Sequence, residues 1–137
     1  MIRYMLDTNT VVYAQKQNPV SVLKHLLSHN PSEIAISSIT LAELEYGIYN
    51  SSKPAQNQIA LTMFLSEITV LPFDSDAAFE YGFIRFDLKS RGAIIGPNDL
   101  LIAAHAKSQD ITLVTHNLRE FSRIEGLKLE DWTDPKS

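Results

Sequence analysis

Arg3-Tyr4-Met5-Leu6-Asp7-Thr8-Asn9 is a short apolar run that stops abruptly at an acid. A run of this kind predicts a buried strand over residues 3–6. The segments that follow repeat the arrangement. Apolar stretches at 34–36, 69–72 and 111–114 read as further strands, and 127–129 as a short edge strand. Between them lie stretches with helical spacing: 8–17, 20–29, 39–50, 59–66, 77–90 and 98–108. Asn18-Pro19 and Asn30-Pro31 close the first two helices. The polar stretch 51–57 and the glycine- and proline-bearing stretch 91–97 read as loops, and 119–121 as a turn of helix. Strands alternating with helices predict an α/β/α sandwich around a central, mostly parallel sheet of four to five strands. Residues 1–132 are expected to form one domain, and 133–137 a polar tail, with Trp132 pinning its start.

Composition narrows the function. The 137 residues carry sixteen acids against twelve lysines and arginines, a net charge of -4, which disfavours a nonspecific duplex coater. A nuclease remains open, because a carboxylate site adds to the negative count and a divalent cation offsets it locally. There is no cysteine, so a disulfide framework and a thiolate zinc site are both excluded. The longest apolar run, Leu100 to Ala104, is far short of the roughly twenty residues of a membrane helix. Asp7 interrupts any signal-peptide core, so a cytoplasmic protein is expected.

Ligands of an open parallel sheet bind beyond the carboxyl ends of its strands. The residues there are Asp7-Thr8-Asn9 after the first strand, Ser37-Ser38 after the second, leading to Glu43, and Thr115-His116-Asn117 after the fourth. Each acid has a plain alternative role. Asp7 suits a helix cap. Thr40-Leu41-Ala42-Glu43 matches a capping box. Asp99 stands at a helix start, where the dipole favours a carboxylate. Against these, Glu43 is expected on an apolar face with Ile39, Ala42, Tyr46 and Gly47, while Glu45, about 200° further round, faces solvent. Asp99 shares a face with Ile102, Ala103 and Ala106. Three inward acids repel unless a cation neutralises them, and all-oxygen ligation suits Mg²⁺ or Mn²⁺.

Four stretches together carry a resemblance that spans nearly the whole chain. Met5-Leu6-Asp7-Thr8-Asn9, then 38–44 (SITLAEL), then 95–103 (IGPNDLLIA), then Leu113-Val114-Thr115-His116-Asn117 with Arg119-Glu120-Phe121 are similar to PIN-domain ribonucleases. Among these the chain resembles the VapC toxins of bacterial VapBC toxin–antitoxin pairs. The resemblance implies a metal-dependent endoribonuclease with Asp7, Glu43 and Asp99 as acidic core and metal ligands, and Mg²⁺ or Mn²⁺ as cofactor. It further implies in-line attack by an activated water, with initiator tRNA cut in the anticodon stem-loop. A homodimer is implied, together with a VapB-like antitoxin through which alone operator DNA is met. The chain departs from the pattern at Asn117, where many PIN domains carry a fourth acid. Asn117 can still accept a hydrogen bond from metal-bound water or offer a neutral oxygen, and Asn9 and Thr115 are further second-rank positions. His116 alternates away from Asn117 and is left out of the site. Arg85, Lys89, Arg91 and Arg119 are expected to hold RNA phosphates at the rim. The apolar helices 20–27 and 59–65 are either docking surface or core.

Other readings place an aspartate after the first strand. A haloacid-dehalogenase-type phosphatase requires a second aspartate two residues on, where this chain has Asn9. A phosphoacceptor receiver requires a late lysine that Thr115-His116-Asn117 does not supply. A metal-dead PIN-like binding module is opposed by the three acids and kept open by Asn117.

Overall fold

The computed structural model describes residues 1–135; the last two residues of the expected tail, Lys136 and Ser137, lie outside the described residues. The elements run β1 (Tyr4–Leu6), α1 (Thr8–Lys16), α2 (Val20–Leu27), β2 (Ile34–Ser37), α3 (Ser38–Tyr49), α4 (Pro54–Phe64), β3 (Thr69–Leu71), α5 (Ser75–Ser90), α6 (Pro97–Ser108), β4 (Thr112–Val114), α7 (Leu118–Phe121) and β5 (Leu129–Glu130). The five strands form one sheet in the order β3-β2-β1-β4-β5, and every pairing is parallel. Tyr4 is in register with Ile34 and Thr112, and Met5 with Ala35 and Leu113.

Strand alternation divides the core in two. Met5 and Leu113 face a cluster with Ile84 and Leu88 of α5, Ile102 of α6 and Phe121 of α7. Tyr4, Leu6, Ile34, Ile36 and Val114 face the other cluster, with Val11 of α1, Val22 of α2, Leu44 of α3 and Leu61 of α4. This is the expected three-layer sandwich, with the inner strands β1, β2 and β4 buried on both sides and therefore mostly apolar, while the edge strand β3 is largely exposed.

The boundary differences have local causes. α4 starts at Pro54, inside the expected loop, because proline at the first helical position has no N–H to lose. α3 starts at Ser38 because the Ser37 hydroxyl accepts the Ile39 N–H at 3.1 Å. α5 starts at Ser75 because Asp74 accepts the Ala77 N–H at 3.0 Å. The edge strand lies at Leu129–Glu130, where its register with Leu113 and Val114 is satisfied.

Helices 20–27 and 59–65 prove to be both core and surface. Val22 and Leu61 are buried, whereas Val20, Leu27, Ile59 and Met63 are exposed. On α5, Phe79, Phe83 and Phe86 are also exposed.

The chain beyond β5 is anchored. Trp132 is buried, its indole N–H donates to Glu130 at 3.0 Å, and His25 and His29 stack on it. Ser21 donates to the Thr133 carbonyl at 3.0 Å, so the expected tail begins in contact with α2. Trp132→Ala is expected to cost about 3–5 kcal/mol by removing a large, fully packed side chain. Urea unfolding monitored by circular dichroism checks this as a lowered midpoint with unchanged slope.

A buried histidine ties α6 to the start of α3. His105 Nδ1 lies 2.7 Å from the Ser37 hydroxyl, and Phe73 meets its ring edge-on. Burial lowers the His105 pKa, so the imidazole is held neutral.

Candidate active site

The strand order reverses between β1 and β4, because β2 and β3 lie on one side of β1 and β4 and β5 on the other. Such a switch point opens a crevice at the carboxyl ends of the two strands. Asp7 stands there, directly after β1, with its N–H donated to the Val114 carbonyl at 3.1 Å. It does cap α1, accepting the Thr10 N–H at 2.9 Å. Capping leaves part of its carboxylate unused. Burial pushes the Asp7 pKa up, hydrogen bonds from Thr10 and Thr115 oppose the rise, and the Glu43 charge adds to it.

Glu43 reaches the same crevice from α3. The capping-box reading of Thr40–Glu43 is not realised, since the helix is capped a turn earlier by Ser37. Glu43 instead accepts from the Thr8 hydroxyl on Oε1 and from the Asn98 amide on Oε2, the latter at 3.2 Å. The face of α3 that packs differs from the expected one. Thr40, Leu44 and Ile48 form the buried face of α3, whereas Ala42, Tyr46 and Gly47 are exposed and Ile39 and Glu43 are half-buried. Apolar residues surround this helix on nearly every side, so periodicity alone does not define the face that packs. Glu45, expected in solvent, is half-buried and accepts from Gln58 of α4 at 3.1 Å.

Asp99 lies in the first turn of α6, after Gly96 and Pro97. Its pKa is raised to about 6, first by burial, then by the charges of Glu120, Asp7 and Glu43. Asp7 and Glu43 therefore lie close enough to Asp99 for their charges to act on it.

A fourth acid joins them that the sequence reading passed over. Glu120, on α7, exerts the largest charge effect on Asp99. Asn117 donates to Glu120 Oε2 at 2.7 Å, and its own N–H donates to the Thr115 hydroxyl at 2.9 Å. The available signal was spacing. Glu120 follows Asn117 by three residues at the opening of a helical turn, so the two side chains share a face. The acid absent at Asn117 is thus supplied one turn later.

The remaining candidates are dispersed. Thr115 is buried against Asp7. Asn9 is exposed. His116 turns away, to Asp131 at 2.9 Å and Thr133 at 3.0 Å. Arg85 donates to the Tyr81 hydroxyl at 2.9 Å, and with Lys89 it lines a cleft that also contains Pro97 and Leu100, near the Asp99 turn. Arg91 is engaged by Asp87 at 2.8 Å and by the Arg123 carbonyl at 2.7 Å. Arg119 is exposed beside Glu120.

Four carboxylates gathered at one crevice, with Asp7 and Asp99 raised by burial and by their acidic neighbours, are a donor set suited to a hard divalent cation, which would relieve the repulsion. Among the described residues, no three acidic or histidine side chains stand in ligating geometry.

The PIN domain model matches residues 4–127 of this sequence. The chain belongs to the PIN-domain family. Ribonuclease VapC2 of Rickettsia felis is 50% identical over 130 residues, covering 94% of this chain and 97% of that protein. The tRNA(fMet)-specific endonuclease VapC of Salmonella typhimurium is 43% identical over 132 residues, covering 96% and 99%. The solved structure of VapBC2 from Rickettsia felis, bound to a DNA fragment from its promoter, superposes with a TM-score of 0.88 at 49% identity, covering 96% and 99%. The matched PIN-domain span contains Asp7, Glu43, Asp99 and Glu120. Membership in this family sets aside the phosphatase and receiver readings of the first-strand aspartate.

Proposed function

We propose that this chain is a VapC toxin: an endoribonuclease that hydrolyses RNA with Mg²⁺ or Mn²⁺ and is restrained by a VapB-like antitoxin. One observation carries the reading. Asp7, Glu43, Asp99 and Glu120 meet at the switch point of a parallel sheet, in a PIN-domain chain with full-length relatives named as ribonucleases. Asp7, Asp99 and Glu43 are the residues that would hold the cation. When bound, such an ion withdraws charge from the scissile phosphate and lowers the pKa of water. Glu43, met by Thr8 and Asn98, either joins Asp7 and Asp99 on the cation or orients the attacking water. Asn117 holds Glu120 toward Asp99 and keeps the fourth carboxylate in the crevice. The chain has no cysteine, and His105 and His116 are both committed elsewhere. Direct in-line attack by water therefore fits better than a covalent intermediate. Arg85, Lys89, Arg91 and Arg119 are proposed to contact RNA phosphates, Arg91 after exchanging its partner Asp87.

Purified protein is expected to cleave structured RNA with Mg²⁺ or Mn²⁺ and to stop with EDTA. The substrate to try first is initiator tRNA, cut in its anticodon stem-loop. Robust cleavage in EDTA by a contaminant-free preparation would overturn the metal-dependent reading.

The partners follow from the same relationship. A VapB-like antitoxin would cover the acidic crevice, and operator DNA would be met only through it. Exposed apolar side chains on α2, α4 and α5 supply area for this contact and for a homodimer. No helix among the described residues is long and apolar enough to cross a membrane, and a cytoplasmic location is proposed. Co-expression with the antitoxin is expected to suppress both toxicity and cleavage. Light scattering of the toxin alone should give a dimer mass; a monomer at micromolar concentration would exclude the dimer.

A further inference from the structure

Glu43 belongs to a different segment from the other acids, and both of its oxygens are met by neutral donors. The Thr8 hydroxyl donates to Oε1, and the Asn98 amide donates to Oε2 at 3.2 Å. Thr8 is the residue after Asp7, and Asn98 is the residue before Asp99. The chain neighbours of two acids thus both reach the third. We infer that Thr8 and Asn98 are positioning residues that fix the Glu43 carboxylate against Asp7 and Asp99. This rests on the nuclease reading above and adds to it how the third acid is held.

A glutamate has three rotatable side-chain bonds, and at a half-buried site the charges of Asp7 and Asp99 push it toward solvent. Two donors, one on each oxygen, oppose that push. A carboxylate oxygen can accept about two hydrogen bonds, so one donor on each leaves both oxygens able to meet a cation or water. Neither donor caps its own helix. α1 is capped by Asp7, and Asn98 is an exposed residue of the first turn of α6. Their bonds cross 35 and 55 residues of sequence.

The test uses the full chain without antitoxin. Mn²⁺ affinity is measured by calorimetry, and kcat and KM on an RNA that the wild type cleaves. Thr8→Val keeps the shape and removes the donor; Asn98→Ala removes the other. The double variant is expected to bind Mn²⁺ about tenfold more weakly and to lose about thirtyfold in kcat, with KM for RNA within about twofold. Thr8→Ser retains a hydroxyl and should stay within about threefold of wild type on both measures. In a Glu43→Ala background, adding Thr8→Val and Asn98→Ala should change Mn²⁺ affinity by less than about twofold, because the group they hold is gone. The inference is overturned if the double variant matches wild type in Mn²⁺ affinity, or if it loses as much again on the Glu43→Ala background. A wild type that binds no Mn²⁺ overturns the metal-dependent nuclease reading instead, and the positioning role with it.

Discussion

Asp7→Asn is expected to lower RNA cleavage by about a hundredfold or more while leaving the metal-free fold at least as stable as wild type. The two halves of this result come from different atoms of one side chain. Asp7 accepts the Thr10 N–H at 2.9 Å, and asparagine caps a helix about as well as aspartate, so the cap survives. The charge does not survive. In the metal-free protein that charge is unfavourable, since burial and the neighbouring Glu43 both push the Asp7 pKa up. Its removal should leave the apo protein unchanged or stabilise it by about 1 kcal/mol. If Asp7 holds a cation, the variant also loses stabilisation by ligand. Mg²⁺ should then raise the melting temperature of wild type more than that of the variant. Melting curves with and without Mg²⁺, beside cleavage rates, separate the roles. Near-wild-type cleavage by Asp7→Asn, with an unchanged Mg²⁺ shift, would leave Asp7 as a cap alone.

The second large effect is on pH. Asp99 is raised from 3.8 to about 6 by burial and by the charges of Glu120, Asp7 and Glu43. A cation needs the carboxylate, so Mn²⁺ affinity should fall by about tenfold per pH unit below about pH 6 and level off above it. The stability of the metal-free protein moves the opposite way at this residue. Between pH 3.8 and about 6 the folded state binds more protons at Asp99 than the unfolded chain. Its contribution is therefore lost as pH rises through that window. Solvent screening at a half-exposed carboxyl limits it to on the order of 1 kcal/mol. His105 contributes with the other sign. Its lowered pKa means that acid favours the unfolded chain, which takes up the proton more readily. The Asp99 part is therefore read as the difference between wild type and Asp99→Asn, measured as melting temperature across pH 4.5–7.5. Glu120→Gln removes the largest neighbouring charge and should move the midpoint of the Mn²⁺ profile downward. An affinity that stays flat from pH 5 to 7 would remove Asp99 from the ligand set.

The sandwich and the acids Asp7 and Asp99 were legible in the chain because they rest on local rules. A strand buried on both faces must be apolar throughout, so Tyr4–Leu6, Ile34–Ser37 and Thr112–Val114 stand out. A parallel sheet places its binding crevice at strand carboxyl ends, which singles out Asp7. The spacing within α6 sets Asp99 beside residues that pack inward. What failed was also local in cause. α3 is apolar on nearly every side, so its packed face, Thr40-Leu44-Ile48, was not written in its periodicity. Glu120 sits on a single turn of helix, too short to carry a pattern of its own.

Taken by itself, the sequence determined the layer architecture, the order of its elements, and the identity of Asp7, Glu43 and Asp99 as the acids to watch. The architecture, Asp7 and Asp99 follow from apolar period, chain punctuation and the residues next to strand ends, all within a few positions of one another, whereas Glu43 stands out by the resemblance to PIN-domain ribonucleases and not by the face on which its period places it. Only the tertiary structure decided that Glu120 completes the cluster, that Asn117 serves it, and that Thr8 and Asn98 grip Glu43. Those relations join atoms of segments that meet only when β4 pairs beside β1 and α3 and α6 pack at the same crevice. A hydrogen bond between residues 55 positions apart leaves no period in the chain, because it depends on the packing of two helices and not on the spacing within either.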